Sequence, residues 1–240
     1  MGSAPRVAAD TRESSNTPGG GDAVRSPSSD KTRLVTLCDG VFAIVMTLLV
    51  LELIPHDVPR HAGDGVLRSY LASLWPKFVS YLISFVAVAH YWVGHHAEFN
   101  YIEHTDRRHV WINMLLLLAV SLIPFSAALL GSAYDSAVGV QLYGINLIVA
   151  GCALGANWLY ATHRRRLTDP ALPAEVVRWF ARRIFFGPVL YLVAVLVALA
   201  SPRAAFGIYV ASAVLYVGIQ VGPTERRAVA ERREGDIFAR

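Results

Sequence analysis

Long apolar runs divided by short polar stretches set the pattern of this chain between residues 33 and 221. There are six runs, at about 33–54, 71–95, 110–130, 137–161, 180–200 and 204–221. Helix breakers stand at several ends: Pro55 after the first, Gly131 after the third, Ser201-Pro202 after the fifth and Gly222-Pro223 after the sixth. Each run is about long enough to cross a ~30 Å hydrocarbon layer as a helix. Isolated strands are excluded there, because lipid cannot satisfy unpaired backbone groups. A β-barrel would show alternating segments of about ten residues, and these runs are continuous. The pattern predicts an all-α, polytopic membrane protein with six transmembrane helices.

Charge placement orients the spans. Eighteen of the twenty-two Lys and Arg residues fall in the N-terminal stretch, the second and fourth loops with the foot of helix five, and the C-terminal tail. Only Arg60, Arg68, Lys77 and Arg203 fall on the other side. Such a bias predicts both termini in the cytoplasm and an even number of spans. Residues 1–30 are rich in Ser, Pro, Gly and Asp and carry no apolar signal-peptide core. They are expected to be a disordered cytoplasmic tail. The helical transmembrane domain would then occupy 31–223, and 224–240 a cytoplasmic C-terminal tail. His163-Arg164-Arg165-Arg166 is expected to lie against anionic headgroups or in solvent.

Composition agrees. Hydrophobic residues make up 54% and charged residues 17%, against about 25% charged in ordinary soluble domains. The net charge of +4 would suit nucleic acid, but basic cytoplasmic loops account for it, so no nucleic-acid partner is expected. Cys38 and Cys152 both lie in apolar runs and read as small buried hydrophobes rather than a disulfide. The chain has no phosphate-binding Gly-rich loop, no H-E-x-x-H and no paired Cys-x-x-Cys, so no enzyme or cofactor is indicated. The histidines are badly spaced for a shared metal: His95 and His96 point about 100° apart on a helix.

Ionisable groups inside spans are more telling, since each costs ~2.5–3.5 kcal/mol at a helix centre. Glu52 and Lys77 lie near outer ends and can snorkel. Asp39 lies about 9 Å inside Arg33 and needs a partner within the protein. On a helical wheel, Gly40, Ile44, Thr47, Leu48 and Leu51 share one stripe. Asp39 lies nearly opposite, and Glu52 lies near the stripe toward the outer end. Periodicity alone leaves that stripe as a lipid-facing or helix-packing surface.

The stretch Arg33-Leu-Val-Thr-Leu37-Cys38-Asp39 and the helix that follows resemble the first helix of the transmembrane protein 175 family of potassium channels. Leu37 and Cys38 stand where the family signature has Phe and Ser. Ser84-Phe85 with Tyr91-Trp92-Val93-Gly94-His95-His96 resembles its second helix. Trp111-Ile-Asn113 with Val120-Ser-Leu-Ile-Pro124-Phe125-Ser126 resembles its third. The resemblance implies a homotetramer whose first helices line the pore, with no Thr-Val-Gly-Tyr-Gly filter. It places Ile44 at the narrowest aliphatic ring, Thr47 at a hydroxyl layer and Leu51 at an outer ring. Leu48 is expected beside them, and Glu52 at the outer mouth. Arg33, Asp39, Trp92, His95 and Asn113 are implied to form a structural polar cluster. Potassium would be the permeant ion near Ile44 and Thr47, weakly preferred over sodium, in the cell membrane. A coupled transporter using Asp39 and His95 is the rival class, but no inverted repeat or matched pair of broken helices supports it.

Overall fold

A computed structural model describes residues 27–54 and 63–220; the tails at 1–26 and 221–240 and the loop at 55–62 lie outside the described residues. Among the described residues eight α-helices follow in chain order: α1 Pro27–Leu48, α2 Asp64–Ser73, α3 Trp75–Phe99, α4 Arg107–Ser121, α5 Ile123–Ser132, α6 Ala137–Thr162, α7 Ala174–Val197 and α8 Pro202–Gln220. α1 runs on into a 3₁₀ segment, Leu49–Leu53. Among the described residues no strand forms; one isolated bridge joins Ile102 and Thr168.

Among the described residues five stretches are long and apolar enough to cross a bilayer: Asp30–Leu53, Trp75–Phe99, Arg107–Ser132, Ala137–Arg165 and Ala174–Val197. The sixth run is the shorter apolar helix Pro202–Gly218. The expected third span is two helices, α4 and α5, that meet at Leu122. Pro124 lies in the first turn of α5, where its missing N–H is least costly. The second apolar run is also divided. Residues 71–73 end α2, Leu74 is the joint, and Pro76 opens α3. Pro76 therefore starts a helix instead of interrupting one. α3 continues past the expected end at His95 as far as Phe99, a shift that matters for the site. Pro27–Asp30, read in sequence as tail, are helical.

The core forms where small residues let helices approach. α6 supplies Gly151 and Gly155 on one face. A Cβ on Gly151 would lie 2.6 Å from Cγ of Pro188 in α7, and one on Gly155 would lie 2.5 Å from the Phe185 ring. Close approach through small residues is how apolar helices gain contact when lipid removes the hydrophobic driving force between them. Polar side chains then tie the helices together. Ser80 Oγ donates to the Ala127 carbonyl at 2.7 Å, Tyr91 Oη to the Leu147 carbonyl at 2.6 Å, and Tyr209 Oη to the Val140 carbonyl at 3.0 Å.

Asp106 organises the corner between α4 and α6. Its carboxylate caps α4 by accepting from the His109 N–H at 2.8 Å, and accepts from Tyr160 Oη at 2.7 Å. Arg166 Nε stands 3.3 Å from it. Partial burial disfavours the charged carboxyl. The Tyr160 and His109 hydrogen bonds and the Arg166 charge outweigh this and hold it below the ordinary aspartate range. Arg165 donates to the Leu172 carbonyl. Two of the three arginines in the basic run thus hold the protein's own backbone and Asp106.

Candidate functional site

α1 divides cleanly along its length. Leu34, Cys38, Phe42, Val45 and Leu49 recur at spacings of three and four and are buried. That is the periodicity of one helix face, and it packs against α3 and α4. The opposite face carries Leu37, Gly40, Ile44, Thr47, Leu48 and Leu51, all exposed. Ile44 is 59% exposed, Leu48 41% and Leu51 48%. The stripe placed on one face by the wheel is therefore the face of α1 that the chain itself leaves uncovered.

The hydroxyl on that face has a fixed orientation. Thr47 Oγ1 donates to the Ile44 carbonyl, 2.7 Å away. Its proton is spent inside the helix, so its lone pairs remain for a group outside it. Beyond Leu48 the chain tightens into the 3₁₀ segment, which turns about 120° per residue instead of 100°. Leu51 stays exposed. Glu52 is half-buried and lines a narrow cleft with Lys77 and Ser80.

Four of the five polar-cluster residues are found in two hydrogen-bonded pairs. Trp92 Nε1 donates to Asp39 Oδ1 at 2.9 Å. His95 Nε2 lies 3.1 Å from Asn113 Oδ1. Trp92 and His95 are three apart on α3 and so share a face, which brings both pairs against α1. Phe42 of α1 contacts the His95 ring at 5.9 Å between centroids. Arg33 is exposed and makes no hydrogen bond or ion pair with the described residues, so this chain does not join it to Asp39.

The network also extends further than the sequence suggested. Asn113 Nδ2 donates to Asn157 Oδ1 at 2.7 Å and to the His109 carbonyl at 2.8 Å. Asn157 Nδ2 donates to Glu98 Oε2 at 2.8 Å. Glu98, His109 and Asn157 are fully buried. Asp39 is thus not the only deep acid. Hydropathy ends the second apolar run at His95, so it leaves Glu98 outside a span, whereas α3 runs on to Phe99. Asn157, one of three amides in the fourth apolar run with Gln141 and Asn146, is the signal for Glu98 in the sequence.

No group of three or more His, Cys, Asp or Glu residues that could hold a metal ion occurs among the described residues. What the arrangement provides is a multi-pass helical membrane protein whose first helix is anchored by polar side chains behind and leaves a face of aliphatic and hydroxyl side chains uncovered in front. A family model described as "Endosomal/lysosomal potassium channel TMEM175" matches residues 33–124, the region holding this helix and its anchors. A potassium channel of Streptomyces collinus is 31% identical over 209 residues, covering 84% of this chain and 98% of the relative. A potassium channel of Chamaesiphon minutus is 34% identical over 177 residues, covering 71% and 86% respectively. The crystal structure of a lysosomal potassium-selective channel TMEM175 homolog from Chamaesiphon minutus superposes with a TM-score of 0.68 at 31% identity. The match covers 79% of this chain and 97% of that one. The chain belongs to the TMEM175 family.

Proposed function

We propose that this chain is one subunit of a homotetrameric cation channel, potassium-selective but only weakly so over sodium, with α1 of each subunit lining the pore. The observation that carries the proposal is the uncovered face of α1, with Ile44, Thr47, Leu48 and Leu51 exposed while the opposite face is locked into the core. The potassium channels among its relatives support the ion. Six crossings with both termini cytoplasmic fit the charge bias. α8 supports the sixth, since its 19 residues rise roughly 28 Å, close to a hydrocarbon thickness.

Four Ile44 side chains around an axis form a ring that excludes water when narrow and so gates by dewetting. When the ring opens, potassium passes more cheaply than sodium because it gives up hydration water more easily. Thr47 assists, since its oxygen lone pairs are free to replace some of that water. Glu52, beside Lys77 at the outer end, raises the local cation concentration at the mouth. Asp39, Trp92, His95 and Asn113 hold α1 in orientation, and helices α6 to α8 are scaffold. The pore requires no cofactor. The transmembrane domain spans 31–223, flanked by cytoplasmic tails.

Reconstitution into planar bilayers under a potassium–sodium bi-ionic gradient tests this. A current with a reversal potential modestly shifted toward potassium supports the proposal. Strict coupling of flux to a second ion, with no current down the potassium gradient alone, would mean a transporter.

A further inference from the structure

A second site lies on the far side of α3 from the α1 contacts. α3, α6, α7 and α8 enclose a cavity of about 170 Å³, whose lining includes His90, Leu154, Trp179, Arg183, Gly187 and Tyr216. Three potential donors face it. The Tyr216 ring stacks on His90, with centroids 4.0 Å apart and planes within 10°. Tyr216 is 4% exposed and packs edge-on against Tyr191, and neither its hydroxyl nor His90 Nδ1 has a hydrogen-bond partner within normal geometry among the described residues, although both atoms are buried. Arg183 lies over the Trp179 ring at 5.4 Å, and no described carboxylate pairs with it. Arg178 and Arg182 line the adjoining surface depression around Trp179.

An orphaned hydroxyl, an orphaned imidazole nitrogen and an unpaired guanidinium together lack an acceptor. A guanidinium at the edge of an apolar span reaches to the headgroup level, where anionic phosphates stand. From the same cavity an apolar groove of about 280 Å³ continues along Phe85, Val86, Ala89 and Val93 of α3 and Val217 of α8, sharing His90 and Tyr216 with it. The donors therefore stand at one end of a channel suited to a hydrocarbon chain. Arg183 also marks the level of the headgroups, because the uninterrupted apolar part of α7 starts at Ile184.

We propose that this cavity binds one anionic phospholipid, with its phosphate on Arg183, His90 Nδ1 and Tyr216 Oη and one acyl chain in the α3–α8 groove. The site requires that the chain sit in a bilayer and does not depend on conduction. Its failure and the failure of the channel proposal are therefore separable.

Native mass spectrometry of the purified full chain, titrated with phosphatidylglycerol, phosphatidylcholine of the same acyl chains, or oleate, tests it. Phosphatidylglycerol is expected to bind in preference to phosphatidylcholine. Arg183→Gln is expected to weaken that binding roughly tenfold, as for loss of a charge-assisted hydrogen bond, and Arg183→Lys to restore part of it. Arg183 is exposed, so the variant keeps its core. Tyr216→Phe should weaken binding less, and Arg203→Gln, at the opposite end of α8, should leave it unchanged. Equal binding of the two phospholipids, equal loss in Arg203→Gln, or unchanged binding in Arg183→Gln would overturn the proposal. Oleate displacing phosphatidylglycerol one for one at equal concentration would overturn the choice of a phospholipid.

Discussion

At the scale of single residues, the fate of one proton or one lone pair decides what a side chain can do. Thr47 gives its proton to the Ile44 carbonyl, so on the uncovered face it acts as an acceptor. Glu98 is fully buried with one donor, Asn157 Nδ2, on Oε2 and none on Oε1. A neutral amide keeps that acceptor without the cost of a buried charge. Glu98→Gln should therefore be tolerated. Glu98→Leu strands the Asn157 amide and should cost roughly 1–3 kcal/mol, read as a lower melting temperature in detergent. Equal stability of the two variants would contradict this account. Residues of this kind were the least legible in sequence. The wheel placed Ile44, Thr47, Leu48 and Leu51 on one face because a regular period suffices for that. It could not show that Arg33 would stand apart from Asp39, nor that Asn157 would bridge Glu98 and Asn113, because both depend on contacts between helices.

At the scale of elements, ends and crossings carry the information. Asp106 caps α4 and ties it to Tyr160 and Arg166. Its folded-state pKa is lowered, so its stabilisation is complete above the unfolded value of about 3.9 and is lost as pH falls through the folded one. Asp106→Ala should lower stability at neutral pH by about 0.5–2 kcal/mol. Thermal unfolding followed by tryptophan fluorescence should show the gap from the native chain closing below about pH 4. A gap that persists unchanged in acid would mean that the carboxylate is not its source. The α6–α7 crossing is tested separately. Gly151→Ala pushes a methyl against the rigid Pro188 ring and should cost typically 1–3 kcal/mol, seen in the same unfolding assay. Apolar runs in the sequence place the helices in order, but not their joints, and the sixth run forms a shorter apolar helix than the other five spans. The Leu122 and Leu74 breaks arise where a proline begins a new helix inside a continuous apolar stretch, and hydropathy does not register that.

At the scale of the whole molecule, the chain leaves one aliphatic face of α1 uncovered, which the proposed channel closes into a pathway only with further copies. In that proposal assembly depends on how α1 is presented, and the Trp92 indole ties α1 to α3 by donating to Asp39. On the proposed assembly, Asp39→Ala should dissociate the tetramer on gel filtration. An intact tetramer with altered selectivity only would refute the anchoring role. The central claim, that the uncovered face of α1 is the ion path with Ile44 at its narrowest point, is tested most directly by single-channel recording of Ile44→Asn beside Leu196→Asn, an exposed position on α7. The account predicts a several-fold larger conductance and weaker potassium preference for Ile44→Asn, with Leu196→Asn unchanged. Currents unaltered by Ile44→Asn, or altered equally by both, would contradict it.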